Sequence, residues 1–281
     1  MNFYIVIPAH NEAQFIGKTL QSLVRQSLPA KKIVVVNDGS TDATPEIVLK
    51  YAEENPEISL VHNFLQDPHE PGAKVIKAFR LGLETLDDNY DIICKFDADL
   101  IFPEDYLEKI AAHFRKPEVG MAGGFCSIKQ GESWELENLT GKDHIRGALK
   151  AYKKDCFNAI GGLKPAMGWD TVDELLAQYH GWKIKTDKKL VVKHLKPTGT
   201  NYNKSSKNKQ GEAFYSLRYG LVISIIASAK LALKKEKTSY FKDYLQGYFK
   251  AKNEKQPFLV NEEEGQFIRK LRWKKMRSKL F

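Results

Sequence analysis

The chain has 281 residues, 42% of them hydrophobic, which is enough for one large core or one core with an appendage. Its three cysteines (Cys94, Cys126, Cys156) are widely spaced and form no C-x-x-C or Cys/His cluster, which argues against a zinc ribbon and a disulfide framework and for a reduced, cytosolic setting. The net charge of +9 is split, because residues 1–195 carry 24 Lys and Arg against 28 Asp and Glu, whereas 196–281 carry 20 against 7. So the basic character belongs to the last third, and such a block suits an anionic surface, nucleic acid or lipid headgroups.

The first two-thirds alternate strand and helix. Phe3–Pro8 is an apolar run without helical period and reads as a buried strand. Glu12–Arg25 places Phe15, Ile16, Leu20, Leu23 and Val24 on one helical face, with Asn11 as N-cap and Gln14 three residues on. Lys32–Asn37 is a second buried strand, and Asp38-Gly39-Ser40-Thr41-Asp42 is turn chemistry before a helix with Pro45 in its first turn. Ile58–His62 is a third strand, Val75, Ile76, Phe79 and Leu83 mark a third helix, and Tyr90–Phe96 is a fourth strand. Val119–Ile128 adds a strand, Asp170–His180 a short helix, and Trp182–His194 a strand, turn and strand. From about Gly211 the chain turns helical and basic, with Phe214, Leu217, Leu221, Ile225 and Ile226 at helical spacing. The 13 residues Leu221–Leu233 are too few to span a bilayer, but suit either an interface or a core helix. Residues 1–9 lack the basic region and cleavage site of a signal peptide. Repeated strand–helix–strand units imply an α/β fold with a mostly parallel sheet covered by helices.

The fourth strand runs into Asp97-Ala98-Asp99. Two carboxylates at i and i+2 there project into the crevice where open α/β sheets bind ligands, and hard cations prefer such oxygens together with those of a phosphate. Taken singly, an Asp-x-Asp triplet is more often a solvated turn, Asp38-Gly39-Ser40 a plain turn, and Asp42 a helix cap.

Four pieces occur together, in order and at strand–helix spacings: Ile7-Pro8-Ala9-His10-Asn11-Glu12, Val36-Asn37-Asp38-Gly39-Ser40-Thr41-Asp42, Gly72-Ala73-Lys74 and Asp97-Ala98-Asp99. On these residues the chain, over residues 1 to about 195, resembles the inverting family 2 glycosyltransferases, which have the GT-A fold. The resemblance implies a nucleotide-sugar donor, with uridine the commoner base in the family. Pro8, Ala9, Asn11 and Glu12 would line the nucleoside pocket, Asp38 would meet the base, and Lys74 would stand near the diphosphate. Asp99 would bind a divalent metal (Mn2+ or Mg2+), and Asp97 would contact ribose or metal water. His194, after the apolar Leu190-Val191-Val192, would complete the metal shell or touch the diphosphate, or else is a structural residue; Lys196 would add a second cation.

The reaction also needs a general base facing the anomeric carbon opposite the leaving group. In the family an acidic Glu-Asp motif opens a helix here; this chain has Gly168-Trp169-Asp170-Thr171-Val172-Asp173-Glu174, with Trp169 where Glu often stands. Asp170 aligns best with the base, Asp173 and Glu174 are alternatives, and all three also suit a helix N-terminus. Arg146-Gly147-Ala148-Leu149-Lys150-Ala151-Tyr152 resembles the family's acceptor-side segment, and Trp134 and Trp169 either stack a sugar or sit in the core.

The expected organisation is a GT-A catalytic domain at 1–200, with a nucleotide-sugar half (1–100) and an acceptor half (101–200), followed by a basic helical extension at 201–281. Residues 269–279 hold seven Lys or Arg in eleven positions, with Trp273 and Met276 interleaved. They read as a solvated tail, a nucleic-acid arm or an anchor on anionic lipid. The acidic body argues against nucleic acid, and the apolar helix and Trp273 favour a peripheral site, through residues 211–281, on the inner face of the cytoplasmic membrane. The expected acceptor is an envelope glycan or a lipid-linked hydroxyl. Competing readings are a retired transferase scaffold that binds membrane or nucleic acid, and a sugar-phosphate nucleotidyltransferase, whose Gly-rich N-terminal phosphate loop is absent here.

Overall fold

The structure, a computed structural model, describes residues 1–64, 72–137, 143–196, 208–234 and 237–278. Strands β1 (Phe3–Ala9), β2 (Lys32–Asn37), β3 (Ile58–His62) and β4 (Ile92–Phe96) are joined through helices α1 (Ile16–Val24), α2 (Thr44–Glu54) and α3 (Ala73–Glu84). All are parallel, with Ala9 beside Asn37, Asn37 beside His62 and Val6 beside Lys95. Ile33–Val36 are buried on both faces, as a central parallel strand requires. The loops after Ala9, Asn37 and Phe96 therefore leave from one edge of the sheet.

β5 (Leu100–Ile101), α4 (Tyr106–Phe114), β6 (Val119–Gln130), β7 (Ser133–Leu136), β8 (Leu149–Lys153), α5 (Lys154–Ala159), α6 (Trp169–Tyr179) and β9 (Lys183–His194) follow. The sheet order is β3-β2-β1-β4-β8-β6-β9-β5, with β7 paired to β6. β8 runs antiparallel to both β4 and β6, and β9 is parallel to β6 but antiparallel to β5. The sheet is thus α/β but mixed beyond β4, because β8 begins beside the end of β4, Leu149 opposite Phe96. That reversal brings the start of β8 and the end of β9 to the edge that carries the first three loops. Trp182–His194, expected as strand, turn and strand, is one strand whose turn survives as a bulge: Gly123 faces Thr186, Phe125 faces Val191, and Asp187 Oδ1 accepts from Lys189 N.

The N-terminal helix starts four residues later than expected. Asn11 adopts φ +54°, a region Asn tolerates, and its Oδ1 accepts from Thr41 N at 2.8 Å instead of capping α1. It ties the β1 loop to the β2 loop.

Among the described residues, four helices follow the sheet: α7 (Lys209–Ser216), α8 (Gly220–Lys234), α9 (Ser239–Asn253) and α10 (Glu262–Arg277). The apolar series from Phe214 to Ile226 is broken between two of them, since Arg218 and Gly220 both have positive φ. α7 crosses α9 at Gly211 and Gly247, where a Cβ would lie 1.8 Å from Tyr244 O and 1.9 Å from Asn208 O. The basic tail forms α10 behind a full capping box, Asn261 with Glu264. Phe214, Leu217, Ile223 and Ile268 belong to the same apolar core as the sheet. The expected division at residue 200 lies outside the described residues, as does Lys279.

Candidate active site

The edge formed by the ends of β1 and β2 gathers the first group. Asp38 is 7% exposed; its Oδ1 accepts from Asn63 Nδ2 at 2.8 Å and its Oδ2 faces Lys74 Nζ at 3.3 Å. Its backbone oxygen meets His10 Nδ1 at 2.7 Å, and its N–H donates to Ala9 O. Asn11 N donates to Ser40 Oγ, and Glu12 N to Thr44 Oγ1. Asp42 does not cap α2 as a lone residue would; it accepts from Ala13 N, Thr44 N and Thr44 Oγ1 and so staples the two loops. Lys74 stands beside Asp38.

The second group is Asp97, Asp99 and His194, whose ligand atoms all lie within 4.8 Å of one another. Thr19 of α1 fixes the Asp97–Asp99 turn with one hydroxyl, which donates to Ala98 O and accepts from Leu100 N. Leu195 N donates to Asp99 O, and His194 pairs across the ladder with Leu100, so the end of β9 is held against the turn. His194 Nε2 is 3.3 Å from Asp99 Oδ2, and Nδ1 is 3.8 Å from Glu137 Oε2, itself bonded by Arg146 Nη1. Burial pushes the imidazole pKa down, but the Asp99 and Glu137 carboxylates beside the ring outweigh it and push it up to about 9. Burial also raises the Asp97 carboxyl, and the adjoining Lys95 ammonium more than reverses this. Glu12 adds a fourth carboxylate. Lys196 Nζ donates to its Oε1 at 2.5 Å, while Oε2 is buried without a partner among the described residues. Burial, opposed by Lys196 and reinforced by Asp99 and Asp97, raises the Glu12 carboxyl. Two carboxylates and an imidazole converging beside an orphaned carboxylate oxygen form a donor set that fits a hard divalent cation.

The third group lies across a buried aromatic. Lys95 and Lys150 are cross-strand partners on β4 and β8, 2% and 0% exposed, and both ammonium groups lie over the Trp169 ring, at 5.4 and 5.7 Å. Trp169 is 7% exposed and is therefore a core residue that covers two buried cations. Each lysine has a carboxylate: Lys95 pairs with Asp97, and Lys150 donates to both oxygens of Asp173, at 2.8 and 2.9 Å. Tyr152 OH donates to Asp173 Oδ2, and Glu174 N to Asp173 Oδ1. Asp173, the alternative base, thus faces the interior with its lone pairs taken. Glu174 is likewise engaged, accepting from Ile145 N at 2.8 Å, from Lys150, and from His144. Asp170 has the one side chain of the three that reaches the crevice, at 34% exposed. Gly168, in the left-handed region, opens α6 just ahead of it. Burial raises the Asp170 carboxyl, but the hydrogen bond from His144 and the charges of Lys150, His144 and Arg146 leave it below the usual carboxylate range.

The structure therefore brings Asp97, Asp99, His194 and Glu12 together, and Asp38 with Lys74. The Arg146 guanidinium lowers both Asp97 and Asp170 and so links the second and third groups. Pro8 and Ala9 end β1 at the same edge. Lys196 meets Glu12, and Trp134 lies under Lys193. Sequence reading passed over Lys95, Glu137 and His144. A lysine inside the apolar runs Ile92–Phe96 and Leu149–Tyr152 is a signal in itself, since a buried ammonium needs a carboxylate; Glu137 and His144 carry no comparable local signal.

Residues 4–165 match the family described as Glycosyl transferase family 2, and the chain belongs to that family. It is 25% identical over 201 residues to a beta-monoglucosyldiacylglycerol synthase of Synechocystis sp., covering 64% of this chain and 41% of that protein. It is 33% identical over 119 residues to an undecaprenyl-phosphate mannosyltransferase of Micrococcus luteus, covering 42% and 46%. The chain thus spans less than half the length of these relatives. Among solved structures it resembles the mannosyltransferase PcManGT of Pyrobaculum calidifontis, in complex with GDP-Man and Mn2+, with a TM-score of 0.61 at 17% identity over 95% of this chain and 78% of that one. It also resembles an S. aureus TarS fragment in complex with UDP-GlcNAc, with a TM-score of 0.59 at 17% identity over 89% and 73%. The fold is GT-A.

Proposed function

We propose that the chain is an inverting glycosyltransferase that moves a sugar from a nucleoside-diphosphate sugar, UDP-linked, to a hydroxyl of an envelope glycan or lipid-linked acceptor. The observation that supports this most is the meeting of Asp97, Asp99 and His194 at the strand edge, linked through Arg146 and the Trp169 layer to the half-exposed Asp170. Asp38 and the β1 loop hold the nucleoside, with Lys74 shared between Asp38 and the donor. Asp99, Asp97 and His194 would hold a divalent cation, Mn2+ or Mg2+, which would supply charge to neutralise the diphosphate leaving group. Lys196 and Arg146 add positive charge at the same end. Asp170, kept ionised by its neighbours, accepts the acceptor's proton as the hydroxyl attacks from the face opposite the diphosphate. Trp169 and the buried lysines behind it keep that carboxylate on a rigid wall.

A thermal-shift screen of nucleotides with Mn2+, Mg2+ or EDTA tests this. One nucleoside diphosphate should stabilise the chain only with metal, and Asp99→Ala should erase the effect. A metal-independent or absent shift with every nucleotide would favour a retired scaffold.

We further propose that the C-terminal helices rest on an anionic bilayer. Among the described residues no helix is long and apolar enough to cross a membrane. α8, however, buries Ile223, Ser224 and Ser228 and turns Leu221, Val222, Ile225, Ile226 and Leu233 outward, while α10 presents Trp273 beside Lys270, Lys274 and Arg277. An apolar face flanked by cations suits a surface with acidic headgroups. Sedimentation with vesicles of phosphatidylglycerol should fall sharply for a Leu221→Glu, Ile225→Glu variant; equal binding by variant and parent would refute the placement.

A further inference from the structure

On the acceptor side, His144 and Glu174 flank the proposed base, Asp170. Asp170 and Glu174, one helical turn apart on α6, share a face, and the side chain of His144 lies across both. His144 Nδ1 is 2.9 Å from Glu174 Oε2, and Nε2 is 3.5 Å from Asp170 Oδ2. Glu174 is only 8% exposed at its side chain and is fixed by Ile145 N and Lys150.

We propose that His144 is a positioning residue for the base: Glu174 clamps one ring nitrogen, and the other holds the Asp170 carboxylate in place and in its ionised form. The inference rests on the reading of Asp170 as the base. Both ring nitrogens face carboxylate oxygens, so the imidazole is satisfied only when both carry a proton; a neutral ring would set a lone pair against an anion. Burial works against that charge, but the two carboxylates that accept from the ring outweigh it and push the pKa up to about 9. A loop anchor would need only the bond from Ile145 N to Glu174. Here the second nitrogen is directed instead at the one half-exposed carboxylate of α6, engaging Oδ2 and leaving Oδ1 for the acceptor.

In the transfer, the acceptor O–H proton passes to Asp170 as the new C–O bond forms at the anomeric carbon. The bond from that carbon to the diphosphate oxygen breaks with its electron pair leaving on the diphosphate. His144 keeps its own proton throughout and acts through Asp170. The charged groups facing Asp170 are His144 and Arg146 from the segment before β8, Lys150 from β8, and Glu174 and Asp173 from its own helix.

Two readings of the full-length chain test this. In the first, imidazole nitrogen NMR of 15N-histidine-labelled protein, assigned with His144→Gln, should show a doubly protonated ring titrating at about 9. Its midpoint should fall by roughly one unit or more in Asp170→Asn and in Glu174→Gln. In the second, the pH profile of UDP release from UDP-glucose with Mn2+, measured well below the melting temperature, should have its acidic limb raised by about one unit in His144→Gln, at unchanged UDP affinity. A His144 midpoint near the ordinary value, or one unmoved by Asp170→Asn, overturns the proposal. So does a His144→Gln profile that superimposes on the parent. Full UDP release by Asp170→Asn would instead overturn the base reading, and the NMR coupling would still report the cluster.

Discussion

Asp170 and Asp173 are three residues apart on one helix, yet their replacements should fail in opposite ways. Asp173→Asn leaves the Lys150 ammonium, 0% exposed, with one carboxylate, Glu174 at 3.3 Å, and the backbone oxygen of Asp170. Removing one partner of a buried pair costs about 3–5 kcal/mol, and the surviving Glu174 contact sets this case at the low end, about 3 kcal/mol. For a chain of this size that is a fall in melting temperature of roughly 6–12 °C. Turnover measured well below the melting temperature should persist, because Asp173 does not face the crevice. Asp170→Asn touches a side chain 34% exposed and leaves the Lys150–Asp173 pair intact, so its stability cost should stay at about 1–2 kcal/mol, below that of Asp173→Asn. UDP release should nonetheless drop by at least about 100-fold, the usual worth of a general base. The assay pairs calorimetric or circular-dichroism melting with coupled detection of UDP. An Asp173→Asn protein that melts like the parent but is inactive, beside an active Asp170→Asn, would refute the assignment of roles.

Two further outcomes concern the body of the fold. Asp87 accepts from Lys32 Nζ at 2.5 Å and Tyr4 OH at 2.7 Å, and the Lys32 hydrogen bond first, then that of Tyr4, holds its carboxyl well below the usual range. A depressed folded-state pKa stabilises above the unfolded value and loses that contribution as pH falls below it. The melting-temperature gap between parent and Asp87→Asn should therefore be full near pH 6 and close progressively below about pH 4; a gap that widens in acid would contradict it. Gly247→Ala would place a methyl 1.9 Å from Asn208 O, so α7 and α9 must separate. Overpacking of this kind costs about 1–3 kcal/mol, and urea melting should show it; a neutral substitution would mean the crossing yields easily.

The placement of several candidate site residues was legible because local chemistry dictates their surroundings. An apolar parallel strand that ends in Asp-Ala-Asp places carboxylates at the ligand-binding edge, and Asp97 and Asp99 are there. His194 closes an apolar strand, and pairing with Leu100 carries it to the same edge. Asn11 was misread because a helix cap and a loop staple use the same side chain; positive φ decided for the staple. The choice among Asp170, Asp173 and Glu174 was not open to sequence reasoning. A helical period puts all three within one turn, and only the positions of Lys150, Tyr152 and His144, delivered by another strand and loop, decide which carboxylate is spent on the interior.

The sequence by itself determined the parallel first half of the sheet, its α/β class, the two loops that meet at Asp38 and Asn11, and the acidic body with a basic end. These follow from periodicity, turn chemistry and charge, which act over a few residues. The tertiary structure alone decided that β8 inserts antiparallel beside β4, so that Lys95 and Lys150 face each other under Trp169, and that Glu137 and His144 stand behind His194 and Asp170. Those relations join residues far apart in the chain, and they are fixed by the need of each buried charge for a partner.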